Sequence, residues 1–411
     1  MESTVGISRL ERIKNLSRTL VMALVMTTLT VVAPFAAPQA QAAAPSDALV
    51  LVVDTTKGDG NVVLPFNNGT GFVVDWGDNN GPETITNSSD VRHSYSVSGI
   101  YTITVTSGSS VSNYGPSSAA YEPSSRQIIE VQQFPSWISS YNRAFQGATN
   151  LITVSGTISN VVTDMSFMFS RASSFNGDLS TWDTSNVTNM IGMFYGASSF
   201  NGDVSGWDTS SVSDMASMFE GARAFNSTIP DWTTSNVTFM NRMFFGASSF
   251  NGDVSGWDTS EVSNMRAMFD GAAAFNSTIS NWTTSNVSDM SSMFSGASSF
   301  NGEISGWDTS SVSDMSFMFS DARAFNSSIS NWTTSNVTFM NGMFYRASSF
   351  SGDISGWDTS SVSNISGMFA YAAAFNSTIS NWTTSNVSDM SGMFYGASSF
   401  NGDVSGWDTA S

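Results

Sequence analysis

Residues 200–219 read Phe200-Asn201-Gly202-Asp203-Val204-Ser205-Gly206-Trp207-Asp208-Thr209-Ser210-Ser211-Val212-Ser213-Asp214-Met215-Ala216-Ser217-Met218-Phe219. The pattern returns every 25 residues, carrying Trp182, Trp207, Trp232, Trp257, Trp282, Trp307, Trp332, Trp357, Trp382 and Trp407 with it. Each unit repeats one apolar set, in the second Phe200, Val204, Trp207, Val212, Met215, Met218 and Phe219; Ile365 in place of methionine is a rare departure. A fixed period of this length marks about ten supersecondary units that stack on one another. Seven apolar side chains cannot offset the backbone entropy of ordering 25 residues, so a unit must share apolar surface and ladder hydrogen bonds with its neighbours.

Within the unit, Val212, Met215, Met218 and Phe219 are spaced i, i+3, i+6, i+7, which predicts a short helical or 3-10 turn with one inward face. Between Phe200 and Trp207, Val204 is flanked by the polar Asp203 and Ser205, the alternation of a brief parallel strand. Thr209-Ser210 stands where a hydroxyl can cap the turn.

The chain has 411 residues, 33 acidic against 14 basic, one histidine (His93) and no cysteine. Disulfide frameworks, thiol catalysis, zinc fingers and sites built on two imidazoles are thereby excluded. A pI near 4.1 argues against nucleic acid, whose phosphates need clustered Lys and Arg.

Residues 1–42 read as a secretory signal: Arg9, Arg12, Lys14 and Arg18, an apolar stretch from Leu20 to Ala37, then Ala40-Gln41-Ala42 as the cleavage site. They hold four of the basic and two of the acidic residues, so a mature chain beginning at Ala43 carries 10 against 31, a net −21. No later apolar run is long enough to span a bilayer. The expectation is a secreted or surface-held protein.

From Ala48 to Ser107, short β-forming runs such as Leu49–Val53, Asn61–Phe66 and Ile100–Val105 are broken by Gly, Asn and Asp, predicting an antiparallel sandwich of five to seven strands. Asp75-Trp76-Gly77-Asp78 with His93-Ser94-Tyr95 and Gly99–Ile103 resembles the PKD-like β-sandwich; the resemblance implies a presenting module, not a catalytic one. Asp54, Asp59, Asp75 and Asp78 offer hard oxygens to calcium, but the EF-hand spacing fails after Asp59-Gly60, and turn formation is the reading preferred for them.

Residues 145–411 resemble the repeats of BspA-family leucine-rich-repeat surface proteins, and Gln127–Leu151, with Ile128–Val131 and Ala144–Ala148, resembles that family's lead-in. The resemblance implies a right-handed solenoid used in adhesion and protein binding. The expected fold is thus mainly β and repetitive, an N-terminal β-sandwich followed by a right-handed leucine-rich-repeat-like solenoid of 25-residue coils. Expected boundaries are 1–42 signal, 43–115 sandwich, 116–160 lead-in and cap, and 161–411 solenoid.

One position per unit reads Asp178, Asp203, Thr228, Asp253, Thr278, Glu303, Ser328, Asp353, Thr378, Asp403, and from the second unit acidic and hydroxyl residues alternate. The position after tryptophan alternates likewise. Skipping a unit relieves like-charge repulsion; the functional reading is a ligand strip for an extracellular protein, a glycan or calcium. Equivalent carboxylate pairs recurring down the chain do not make the single unequal pair a glycosidase needs, and no catalytic residue is expected. Residues 211–244 recur as 311–344 and 261–290 as 361–390, so a 100-residue block is duplicated. Function that survives this depends on length and surface, as in a multivalent binder. A chain stopping mid-unit at Ser411 also raises head-to-tail self-association into a structural rod.

Overall fold

The computed structural model describes residues 43–67, 71–86, 91–106, 113–116 and 123–409; the expected secretory signal lies outside them. Strand β1 (Ala48–Asp54) is apolar along nearly its whole length and buried on both faces. That composition suits the middle of a sheet. Around it stand β2 (Asn61–Leu64), β3 (Phe66–Asn67), β4 (Phe72–Asp75), β5 (Glu83–Ile85), β6 (Val91–Ser94), β7 (Ile100–Thr106), β8 (Asn113–Tyr114), β9 (Ile128–Gln133) and β10 (Thr153–Val154). Six form one sheet in the order β10-β9-β1-β7-β4-β5, while β2 pairs with β6 and β3 with β8. Leu51 lies opposite Ile103 of β7 on one side and Val131 of β9 on the other. Strand β10 runs parallel to β9, with Thr153 opposite Glu130, so residues of the expected lead-in extend the N-terminal sheet. One apolar core runs from Leu49 to Met393 without a break.

The units are joined by a series of parallel bridges that starts at β8, from Asn113 to Ser140 and Ser140 to Asp164, then through Asn189, Asp214, Phe239 and onward to Asp389. After Asp164 every step is 25 residues. The amides of Met215, Ser217, Phe219 and Gly221 donate to the carbonyls of Phe239, Asn241, Met243 and Phe245 in the next unit, at 2.6–3.1 Å. The amides between them turn back: Met218, Glu220 and Ala222 donate to Met215, Ser217 and Phe219, three residues earlier. Alternate amides can point along the stack only if the chain swings repeatedly into the left-handed region, and Ser217 and Gly221 have φ of 56° and 71°. A side chain at such a position costs roughly 1–2 kcal/mol, which the surrounding hydrogen bonds offset.

This geometry corrects the expected local assignment. Residues 200–207 form no strand, and the bridging residue is Asp214, inside the stretch expected to be helical. A chain of three-residue turns puts Val212, Met215, Met218 and Phe219 inward just as a 3-10 helix does, so spacing cannot separate the two. Thr209 likewise does not cap a helix with its side chain. Its buried hydroxyl donates to the carbonyl of Thr233, and the same bond recurs from Thr184 to Thr384 at 2.7–3.0 Å.

Aromatic columns fill the interior. Successive tryptophans stack at centroid distances of 6.1–6.5 Å and within 7° of parallel. Phe219 lies 3.9 Å from Phe225 and 5.6 Å from Phe244. From Trp207 onward each indole N–H of the series donates to a backbone carbonyl 28 residues earlier, as Trp207 does to Leu179 at 3.0 Å, while Trp182 donates to Gly156.

A second ladder runs through asparagine. The amide oxygen of Asn201 accepts the backbone N–H of Asn226 at 2.8 Å, and the bond repeats through Asn226, Asn251, Asn276, Asn301 and Asn326. Ser351 interrupts it, and the series resumes from Asn376 to Asn401. Substituting Ser351→Asn supplies the missing acceptor to the amide of Asn376 and is expected to stabilise the protein by about 1 kcal/mol. Urea denaturation of the two proteins checks this, and an unchanged midpoint counts against it.

Candidate binding face

All ten residues of the sequence-derived strip, Asp178 through Asp403, are exposed and occupy equivalent positions in successive units. Its five aspartate carboxylates are committed locally. Asp203 accepts the backbone N–H of Ser205 at 2.9 Å and its hydroxyl at 2.7 Å; Asp178, Asp253, Asp353 and Asp403 accept the amide two residues on in the same way. After tryptophan, Asp208 accepts the amide of Ser210. These hydrogen bonds hold the carboxyls below their ordinary range. Asp178 and Asp203, in consecutive units, also feel each other's charge. Among the described residues no group of three or more His, Asp or Glu is arranged to hold a metal ion.

The acidic residues of the N-terminal sheet make turns too. Asp54 accepts from Thr56, Asp59 from Asn61, Asp75 from Gly77 and Asp78 from Asn80. His93 is packed: its ring stacks on Trp76 at 4.7 Å, meets Tyr95 edge-on, and its Nε2 lies 2.9 Å from Asp78. The Tyr95 hydroxyl closes the cluster on the Trp76 carbonyl at 2.7 Å. Burial raises the Tyr95 phenol well above its usual range.

Sequence reading passed over the stretch where the units differ. Inward positions repeat from unit to unit, whereas the turns equivalent to 214–224 change. All seven arginines beyond residue 139, Arg143, Arg171, Arg223, Arg242, Arg266, Arg323 and Arg346, lie in these turns, as do the exposed Phe239, Phe317, Phe339, Tyr371 and Tyr395. The signal was available: subtracting the repeat leaves these residues. Arginine and aromatic side chains interleave, with the guanidinium of Arg143 4.8 Å from the Phe167 ring centroid, Arg171 5.8 Å from Tyr195, and Arg346 5.0 and 5.5 Å from Tyr345 and Tyr371.

The most elaborate group centres on Arg242, whose guanidinium lies 3.9 Å from the centroid of Phe245 and grips buried Glu220 through two hydrogen bonds, Nε to Oε2 at 2.9 Å. Two-point pairing of this kind fixes orientation as well as charge. One unit further, burial pushes the Asp270 carboxyl up to about 6, against a hydrogen bond from Ser295 and the charge of Arg242. A folded-state pKa above the unfolded one means that this group favours folding most below about pH 3.9 and loses that contribution as pH rises through 6. Asp270→Asn is therefore expected to raise the melting temperature at pH 7, with the gain shrinking toward pH 4. A gain that is the same at both pH values would remove burial of the charge as its cause. The Asx-turn carboxylates act in the opposite sense, and stability they contribute falls away below about pH 4.

Units of one repeating pattern, joined amide by amide, with their arginines and exposed aromatic side chains gathered in one turn, define a repeat protein whose surface changes along the stack while its inward pattern does not. The chain belongs to the family described as Mycoplasma protein of unknown function, DUF285, which matches residues 139–257, 240–350 and 322–411. No curated protein and no solved structure matches it. No helix among the described residues is long and apolar enough to cross a membrane.

Proposed function

We propose that this is an exported, non-catalytic binding protein, in which a PKD-like β-sandwich precedes a right-handed BspA-like leucine-rich-repeat solenoid that engages an extracellular protein or glycan at several units at once. The observation that carries this reading is the partition of the repeat: constant interior, variable turns rich in arginine and exposed aromatic side chains. Arginine and large aromatics are the residues that dominate recognition energetics, and each contact is multiplied by the stack. Export rests on the Arg9-to-Ala42 segment, with cleavage after Ala42.

The test is binding of residues 43–411 to arrays of glycans and extracellular-matrix proteins, beside the same chain lacking residues 200–399, a deletion of whole units that keeps the register. Saturable binding that weakens with the loss of units is expected. A folded protein that binds nothing on either array would overturn the reading.

A further inference from the structure

Three successive units open a trough of about 480 Å³ on the turn surface, lined by Tyr195, Ser198, Glu220, Arg223 and Phe245 over a floor of Gly196, Gly221 and Gly246. We propose that this trough is a carbohydrate subsite, taking two or more pyranose units of a glycan chain; the proposal deepens the binding role above and rests on it.

The floor is built rather than incidental. Glycine occupies this turn position in five consecutive units, Gly196 through Gly296, and large side chains close the row at both ends, Arg171 before it and Asp321 after. A methyl group added at Gly221 would meet only the backbone of Gly196, its Cα at 3.4 Å and its N at 3.6 Å, so the row exposes bare backbone onto which a flat ligand can settle. The left-handed φ is no reason to require glycine here, because Arg171, Asp321, Arg346 and Tyr371 hold the same conformation at equivalent positions, with φ of 55–60°.

The walls fit a sugar chain. Tyr195 and Phe245 are two units apart, roughly 10 Å at about 4.8 Å per unit, which is close to the length of a disaccharide. An arginine lies against one face of each ring, Arg171 on Tyr195 and Arg242 on Phe245, which leaves the opposite, partly negative face for the C–H face of a pyranose. Between the two rings Glu220, more than nine-tenths buried, is fixed by Arg242 and presents an anchored acceptor; the Ser198 hydroxyl, which donates to the Ser173 carbonyl at 3.3 Å, offers a second acceptor, and Arg223 stands as a donor that forms no ion pair among the described residues. Strand addition by a peptide would need free backbone groups. Here the amides of Gly196, Gly221 and Gly246 already donate to Glu220, Phe245 and Asp270 in the next unit, each at 2.6 Å, so recognition falls to side chains.

The experiment compares the full chain with Gly221→Tyr and with the double variant Tyr195→Ala, Phe245→Ala on an array of immobilised oligosaccharides, followed by calorimetric titration of the strongest soluble tetrasaccharide. Tyrosine at position 221 copies Tyr371, so the fold tolerates it while the ring fills the trough. Each variant is expected to weaken glycan binding by about tenfold or more with unchanged circular dichroism. Glycan binding that persists in both variants overturns the trough as the site. Binding to matrix proteins with none to glycans overturns the carbohydrate ligand but leaves the wider binding role standing, and absence of both removes the two together.

Discussion

Replacing Trp282 with alanine is expected to lower stability by about 3–5 kcal/mol. The indole is only 3% exposed, lies between Trp257 at 6.1 Å and Trp307 at 6.5 Å, and touches Phe269. Its N–H is one of two donors to the carbonyl of Val254. Alanine would leave a cavity that the rigid column on either side cannot collapse to fill. Because each unit contacts only its neighbours, the defect also weakens the coupling between the units before and after it. Denaturation in guanidinium, followed by circular dichroism, should therefore give a lower midpoint and a broader transition. Trp282→Phe keeps most of the apolar volume and loses one hydrogen bond, for an expected cost of about 1–2 kcal/mol. Equal costs for the two variants would show that column packing is not what holds the units together.

A second large effect is expected in the N-terminal sheet. Gly77, in the Asp75-Trp76-Gly77-Asp78 bend after β4, has φ of +73°, and a Cβ there would lie 2.4 Å from the carbonyl oxygen of Thr102 in β7. Backbone blocks the atom, so no side-chain rotation relieves the clash. Gly77→Ala adds overpacking of about 1–3 kcal/mol to a left-handed penalty of about 1–2, and the Trp76–His93–Tyr95 cluster should loosen with it. Gly81 provides the comparison: its φ is +82°, yet nothing lies within 4 Å of an added Cβ. Gly81→Ala should cost only the conformational part. Thermal melts of the two proteins decide the matter, and a Gly77→Ala protein no less stable than Gly81→Ala would disprove the steric account.

Much of this protein could be read in its sequence. The 25-residue period, the inward set from Phe200 to Phe219 and the strands that hold Leu49–Val53 and Ile100–Val105 all follow from apolar spacing, which burial imposes directly on residue type. The strip from Asp178 to Asp403 was legible as a row. What those carboxylates do was not, because an aspartate that accepts the amide two residues on and one that awaits a ligand have the same letter. The turns were misread for a related reason. The i, i+3 spacing records which side chains point inward and carries nothing about whether the amide between them bonds within the unit or to the next one.

The sequence by itself therefore determined the period and the interior, since water exclusion acts on each side chain's own chemistry. Only the tertiary structure decided where the hydrogen bonds go, and with them the position of the parallel bridge at Asp214 rather than a strand at 200–207. It alone brought Tyr195, Glu220 and Phe245 to one trough. Those residues are 25 apart along the chain and adjacent in space because every second turn amide is satisfied by the next unit.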